Sequence, residues 1–357
     1  MEPHELIFAV TNAGVAARCL QVVAELGVAD HIDDHPVPAK ELAKRCEVDP
    51  DGLNRVLRLL AAQGVFSAAD GGYQHSTASR LLRSDNPMSM RAFPQMMGLP
   101  VMLRSFDDLA HSVRAGRPSI ELSDPDGLWG YLRGAPRERA IFGQAMTAKA
   151  AGETAEVLAA YDFSSSRRIV DVGGGRGHLL HAILEATPRA RGILVDLPGV
   201  VEAGGPAHPR LVRQAGDFFV DPLPAADTYL VMDVIHDWAD AEALAILTVI
   251  RRAAMDDTRV LLIEGLLPEI LDPGSLTIDV IMLAVTGGRE RTDAELGRLL
   301  DAAGLRLARV IDTPGRLRIA EARRVDAVTP SALRSDTSRR TDRGEQVLRC
   351  GPDRPGR

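Results

Sequence analysis

Six residues have types and spacing that could do chemistry together: Asp171, Asp196, Asp217, His236, Glu264 and Glu290. Asp171 stands two residues before the first glycine of Gly173-Gly174-Gly175-Arg176-Gly177. An apolar run over 168–172 leads into that turn, and a helical run over 178–186 leads out. Strand, glycine turn and helix form the first unit of a nucleotide-binding α/β sheet. The glycines let the backbone approach a ligand closely and take dihedrals barred to other residues. A dinucleotide site would want only N–H groups and a helix N-terminus there, because pyrophosphate is an anion. A carboxylate at Asp171 suits a ligand with a cationic amine. S-adenosylmethionine (SAM) carries such an amine and no phosphate.

The second strand ends in Leu194-Val195-Asp196-Leu197-Pro198, nineteen residues after the turn. An acid there can accept both ribose hydroxyls of an adenosine. The third ends in Gly216-Asp217-Phe218-Phe219. Asp217 can accept the adenine amino group, and Phe218 can pack on the ring. The fourth runs from Thr228 to Ile235 and meets His236-Asp237-Trp238. Of the nine histidines, His236 alone stands at the carboxyl end of a central strand. A neutral imidazole there can take a proton from a phenol or an acid. Glu264, at the end of the fifth strand, could orient it and favour its cationic form. Glu290 could approach from the other side.

These residues need a scaffold. Alternating strands and helices after residue 167 imply a parallel sheet. Strands are expected at 168–172, 192–197, 211–216, 228–235, 259–267, 305–311 and 316–323. Thr292 and Glu295 form a capping box for a helix over 293–303. Ahead of the sheet, helical spacing over 5–30, 38–43 and 51–60, then a turn at Asp70-Gly71-Gly72, reads as a winged-helix pattern. Residues 88–160 read as helical. The expected domains are 1–100, a helical region at 101–160 that helps line the acceptor pocket, and a catalytic domain at 161–324. The tail at 325–357 carries seven arginines and few apolar residues and reads as disordered.

The 357 residues suffice for two domains and a sizeable core. A net charge of −7 argues against a general nucleic-acid binder. Residues 1–100 hold nine Lys/Arg against twelve Asp/Glu, which disfavours a DNA-binding regulator. Cys19, Cys46 and Cys350 are widely spaced and suggest neither a disulfide framework nor a zinc site. No uninterrupted apolar run reaches 18 residues and the N-terminus is acidic, so a cytoplasmic protein without a membrane span is expected. An NAD-dependent oxidoreductase is opposed by Asp171 and Asp217. A SAM-fold hydroxylase or binding scaffold is opposed by His236, Glu264 and Glu290 together.

At these motifs the chain resembles the SAM-dependent, metal-independent small-molecule O-methyltransferases. Plant caffeate and flavonoid enzymes belong to them, as do bacterial enzymes that decorate aromatic polyketides. The resemblance covers roughly residues 10 to 323 and rests on Val170–Gly177, Leu194–Pro198, Gly216–Phe219, His236-Asp237-Trp238, Leu262–Glu264 and Gly287–Arg291. It implies a Rossmann-like class I SAM methyltransferase domain with a seven-stranded, mostly parallel sheet. It implies a helical, winged-helix-like N-terminal domain that makes a homodimer. His236 would be general base, flanked by Glu264 and Glu290. Asp171, Gly173, Gly175, Asp196, Leu197, Asp217, Phe218 and Met232 would lie at SAM, and no metal would be needed. Phe142, Met146, Met282 and Asp237 would lie at the acceptor, with Met96, Met97 and Met102 as further pocket candidates. Met232 replaces the lysine that plant members carry near the adenine. The segment Leu109–Gly116 resembles the bacterial branch, whose acceptors include anthracyclines, naphthoates and orsellinates.

Overall fold

The computed structural model describes residues 1–267 and 272–325. The expected disordered tail lies outside the described residues, apart from Val325.

The first helix, Pro3–Leu26, runs to a left-handed Gly27. Helices Ala39–Arg45 and Pro50–Ala62 follow, then an antiparallel ribbon of β1 (Phe66–Ala69) and β2 (Gly72–His75). This is the order of elements that the winged-helix reading expects. Asp49 caps the 50–62 helix by accepting from Gly52 N–H at 2.7 Å, and Pro50 starts it. Leu53, Leu57 and Leu60 share the buried face of that helix at three- and four-residue spacing. They pack on Val23, Val28, Ile32 and Phe66. Gly72 is required because its backbone lies against that of Val37, where a Cβ would collide.

Helix Pro3–Leu26 departs from the sequence expectation. It is long and apolar enough to cross a membrane by length and composition, with a mean hydropathy of 1.6 over its best window. Polar residues interrupt the apolar run without lowering the average enough. Leu6, Ile7, Phe8, Val10 and Val15 are all exposed on it.

The chain after residue 167 builds one seven-stranded sheet. The strands are β3 (Arg168–Val172), β4 (Arg191–Asp196), β5 (Leu211–Ala215), β6 (Thr228–Met232), β7 (Arg259–Glu264), β8 (Leu305–Asp312) and β9 (Arg318–Arg324). Their spatial order is β5-β4-β3-β6-β7-β9-β8. Neighbours from β5 to β7 are parallel, and β9 is antiparallel to both β7 and β8. β3, β6 and β7 are apolar and buried on both faces, as central parallel strands must be. Val170, Tyr229, Ile246 and Leu300 fill one layer, and Leu180, Ile183, Leu230 and Ile263 the other. The strand order reverses at β3, between β4 and β6, and open α/β sheets bind ligands at the carboxyl edge of such a switch point.

Two strands stop three residues short of the expected end. β6 ends at Met232 rather than residue 235, because Asp233 takes a positive φ of 49° and residues 235–237 form a 3-10 turn. β7 ends at Glu264 rather than residue 267. Arg316 belongs to the connection between β8 and β9, not to the strand. The capping box at Thr292 and Glu295 is formed.

Candidate active site

The glycine turn crosses the carboxyl edge of β3. Gly173, Gly175 and Gly177 take φ values of 69°, 61° and 79°, which β-carbon sterics discourage. Gly174 lies against the Asp171 carboxylate, and a Cβ there would collide with it. A Cβ at Gly173 would stand 3.0 Å from Val234 and 3.4 Å from the Phe218 ring. At Gly175 it would meet nothing within 4 Å, so the loop leaves that side open.

Asp171 is fully buried, and its Oδ1 has no hydrogen-bond partner. Burial, with the Asp196 charge, pushes its carboxyl up to about 7. Asp196 ends β4; its Oδ2 accepts from Gly175 N–H and its Oδ1 from Leu197 N–H, at 2.8 and 2.7 Å. Burial pushes it up to about 6 despite those two bonds. Asp217 lies just past β5 and accepts the Phe219 N–H at 2.9 Å. Phe218 packs edge-on to Trp238, with ring centroids 6.1 Å apart. Met232, the last residue of β6, packs against the layer that holds Leu230 and Ile263.

His236 sits in the 3-10 turn after β6, and it is buried. Its Nδ1 lies 2.9 Å from Glu290 Oε1 and 3.9 Å from Glu264 Oε2. Both acids therefore face the same nitrogen, which corrects the expectation that Glu290 approaches from the other side. Nε2 faces Asp237 at 3.7 Å and Asp233 at 3.9 Å. Glu264 holds the turn as well: its Oε1 accepts from Ile235 and Val234 N–H at 2.8 and 3.2 Å. Arg291 supports the turn from below, donating to Ile235 and Trp238 carbonyls. Glu290 reaches His236 because Gly288 lies on the His236 carbonyl, where any Cβ would collide.

Burial disfavours the His236 cation. The Asp237 and Glu264 charges, the Glu290 hydrogen bond and Asp233 outweigh it and push the imidazole up to about 10. The free protein thus holds His236 protonated near neutrality, the cationic form that Glu264 was expected to favour. Burial pushes Asp237 up to about 6 and Glu264 up to about 7.

Phe142 packs edge-on to Trp129 at 5.8 Å, and Trp129 stacks on Trp238 at 6.4 Å. Met146 lies on the Phe142 helix, Pro136–Ala160, in a cluster with Met97 and Phe93. Met282 is half-buried on helix Pro273–Val285. Met96 and Met102 are buried.

Four charged residues were not anticipated. Asp233 accepts from Lys149 Nζ and from Arg316 Nη2, each at 2.8 Å. Arg316 also donates to Glu153 at 3.2 Å. Lys149 and Glu153 stand four apart on one helix face, a spacing visible in the sequence. Among the described residues, Asp233, His236 and Glu264 bring donor atoms within 4.8 Å of one another, as a metal site would. Two cations already pair with Asp233 and two backbone N–H groups hold Glu264 Oε1, while Glu264 Oε2 has no hydrogen-bond partner.

A family model described as O-methyltransferase domain matches residues 106–306, and an O-methyltransferase dimerisation domain matches 8–85. The chain belongs to the O-methyltransferase family. Among its relatives, mitomycin biosynthesis 6-O-methyltransferase of Streptomyces lavendulae is 35% identical over 86% of this chain and 91% of that protein. The crystal structure of LaPhzM superposes with a TM-score of 0.87 at 35% identity, covering 91% of this chain and 100% of that one. The O-methyltransferase NcsB1 from neocarzinostatin biosynthesis, solved with SAM and 2-hydroxy-5-methyl naphthoic acid, gives 0.72 at 33% identity, covering 87% and 96%. This O-methyltransferase is SAM-dependent, as the family is. Its own residues fit that cofactor: a buried carboxylate with an unpartnered oxygen at Asp171, a second at Asp196, and an open glycine edge between them.

Proposed function

We propose that this O-methyltransferase methylates a phenolic hydroxyl of an aromatic polyketide-type natural product, with His236 as general base. Orsellinates, naphthoates and anthracyclines are the acceptor types that fit this proposal. The observation that carries the reading is the His236 geometry. Nδ1 is engaged by Glu290, while Nε2 is turned away from both glutamates toward Asp237 and Asp233. The naphthoic acid in the NcsB1 complex supports a flat, hydroxylated acceptor.

SAM, when bound, supplies an electrophilic methyl on a sulfonium. Asp171 would hold the amine, Asp196 the ribose hydroxyls, and Asp217 with Phe218 the adenine. Phe142, Met146, Met282 and the stacked Trp129 and Trp238 would hold the acceptor ring and exclude water. Nε2 would take the hydroxyl proton of the acceptor, whose oxygen would receive the methyl as the sulfur–methyl bond breaks and S-adenosylhomocysteine is left. Glu290 and Glu264 then face the imidazolium from the Nδ1 side. A free phenol has a pKa of about 10, and His236 is held at about 10 as well. The two proton affinities are close, and the base form of His236 is the minority form near neutrality.

The purified protein should add one methyl to a hydroxyl of a panel of phenolic acids and polyketide aglycones. Mass spectrometry reads this, and the rate should be the same with EDTA. Oxygen incorporation in place of a methyl would point to a hydroxylase, and a loss of rate with EDTA would contradict the metal-free chemistry.

Cofactor binding should release protons. A bound amine stabilises the Asp171 carboxylate, which is held near 7 in the free protein. Protonated Asp171 must therefore ionise when the ligand enters below that pH. S-adenosylhomocysteine affinity should fall as pH drops from about 7 toward 5, because the unbound form keeps a proton that the bound form must lose. Calorimetry in buffers of different ionisation enthalpy would show it; zero proton release at pH 6 would exclude Asp171 as the amine's partner.

The exposed apolar residues Leu6, Ile7, Phe8 and Val10 belong to a helix that runs into the matched dimerisation domain. We infer that a second copy covers them, since such patches mark interaction sites. Sedimentation should show a dimer, and Ile7→Asp with Phe8→Asp should shift it to monomer. A dimer unmoved by the pair would place the interface elsewhere.

A further inference from the structure

Arg316 reaches the site from outside every matched motif. It lies in the connection between β8 and β9, at the antiparallel edge of the sheet. Its guanidinium passes over Gly265, where a Cβ would collide with Nη1. Nη2 donates to Asp233 Oδ1 at 2.8 Å and to Glu153 Oε1 at 3.2 Å, and Nη1 lies 3.7 Å from Glu290 Oε1. Two of those three carboxylates, Asp233 and Glu290, are also the neighbours of His236.

The groups around the imidazole come from every packed element. Asp233 and Asp237 come from its own turn, and Glu264 from β7. Glu290 comes from the loop after helix Pro273–Val285, its N–H bound to Asp279. Lys149 and Glu153 come from helix Pro136–Ala160. Arg291 lies under the turn, paired with Asp240. Four carboxylates within 4 Å would bind an imidazolium too firmly for it to release its proton, unless some of their charge is taken up. Arg316 takes up charge on two of them, and Lys149 on one.

We propose that Arg316 is a positioning residue that weakens the hold of His236 on its proton, by engaging Asp233 and Glu290, and so lets the imidazole act as a base. This rests on the base role proposed above. Asp233 suits its part because its left-handed backbone turns the carboxylate toward Arg316 and Lys149, away from solvent.

The test is the pH profile of kcat at saturating acceptor and SAM, with an NMR titration of His236 in histidine-labelled free protein. Arg316→Gln should move the acid limb of kcat up by about one unit, the size of shift a neighbouring charge produces. Turnover near neutrality then falls about tenfold while the alkaline plateau is retained. The NMR midpoint should rise in parallel. Arg316→Lys should keep most of the wild-type profile. Because Arg316→Gln leaves the buried Asp233 with Lys149 but without its second cation, the same comparison is made on an Asp233→Asn background. Asp233→Asn alone should move the limb down, and adding Arg316→Gln should move it back up. An equal loss at every pH with an unmoved limb and an unmoved midpoint would overturn the proposal and leave a structural role. Full turnover in His236→Ala would instead overturn the base role, and the NMR midpoint still reports whether Arg316 acts on the imidazole.

Discussion

His236→Ala is expected to lower kcat by about 10²- to 10⁴-fold, the usual contribution of a positioned base. SAM affinity should stay within about twofold, because the imidazole contacts neither Asp171 nor Asp196 among its polar neighbours. Activity should survive at a residual level, since holding acceptor oxygen and methyl in line contributes on its own. The pH dependence follows from the raised proton affinity. His236 is held at about 10 in the free protein, so the protonated and inactive form dominates near neutrality. Raising the pH increases the fraction of free base, and kcat/KM should climb well past the ordinary histidine value of about 6.5. In His236→Ala that climb should vanish. Single-turnover measurements across pH would decide it. An alanine variant with an unchanged profile and rate would mean that the acceptor loses its proton to another group.

Asp171→Asn should cost SAM about 2–5 kcal/mol of binding, the usual effect of removing one partner of a buried charge pair. That is roughly a 30- to several-thousand-fold weaker Kd. The amide keeps the shape that Gly174 is packed against, so the loss reports charge rather than a cavity. The free protein should respond in the opposite direction. Asp171 has a raised pKa in the folded state, so the folded protein binds more protons than the unfolded chain between about 4 and 7. Stability is therefore lost as pH rises through that window, and the charged form is the costly one above it. Asp171→Asn removes that cost, and the Tm of the free variant at pH 8 should equal or exceed that of the parent. Calorimetric titration with SAM and thermal melts without it separate the two effects. A variant that binds SAM normally would remove Asp171 from the cofactor site.

Local patterns carried much of this in plain view. Asp171, the glycine turn and Asp196 lie on one β-turn-α-β unit, where strand burial and glycine dihedrals are local properties. The capping box at Thr292 is local too, and so is the stripe of Leu53, Leu57 and Leu60. Their positions follow from spacing, because a helix or a buried strand repeats with a known period.

The extent of β6 was less legible. Val234 and Ile235 are as apolar as the strand before them, yet Asp233 turns the chain with a positive φ. That turn is held by Glu264, some thirty residues on, through the N–H groups of Val234 and Ile235. The methionines show the opposite limit. Met96 and Met102 share a residue type with the pocket candidates and end in packed clusters, because composition does not say which face of a helix meets the acceptor.

Sequence order, then, determined the fold class and pointed to the glycine edge and to His236, because each rests on residues adjacent along the chain or repeated at helical or strand spacing. Beyond the Glu264 contribution, the charge state of that histidine was decided by folding. Glu290 is 54 positions away from it, and Arg316 is 83 away from Asp233. Coulomb interactions depend on distance and burial, and neither is set until the sheet, the Gly288 loop and the β8–β9 connection close around one turn.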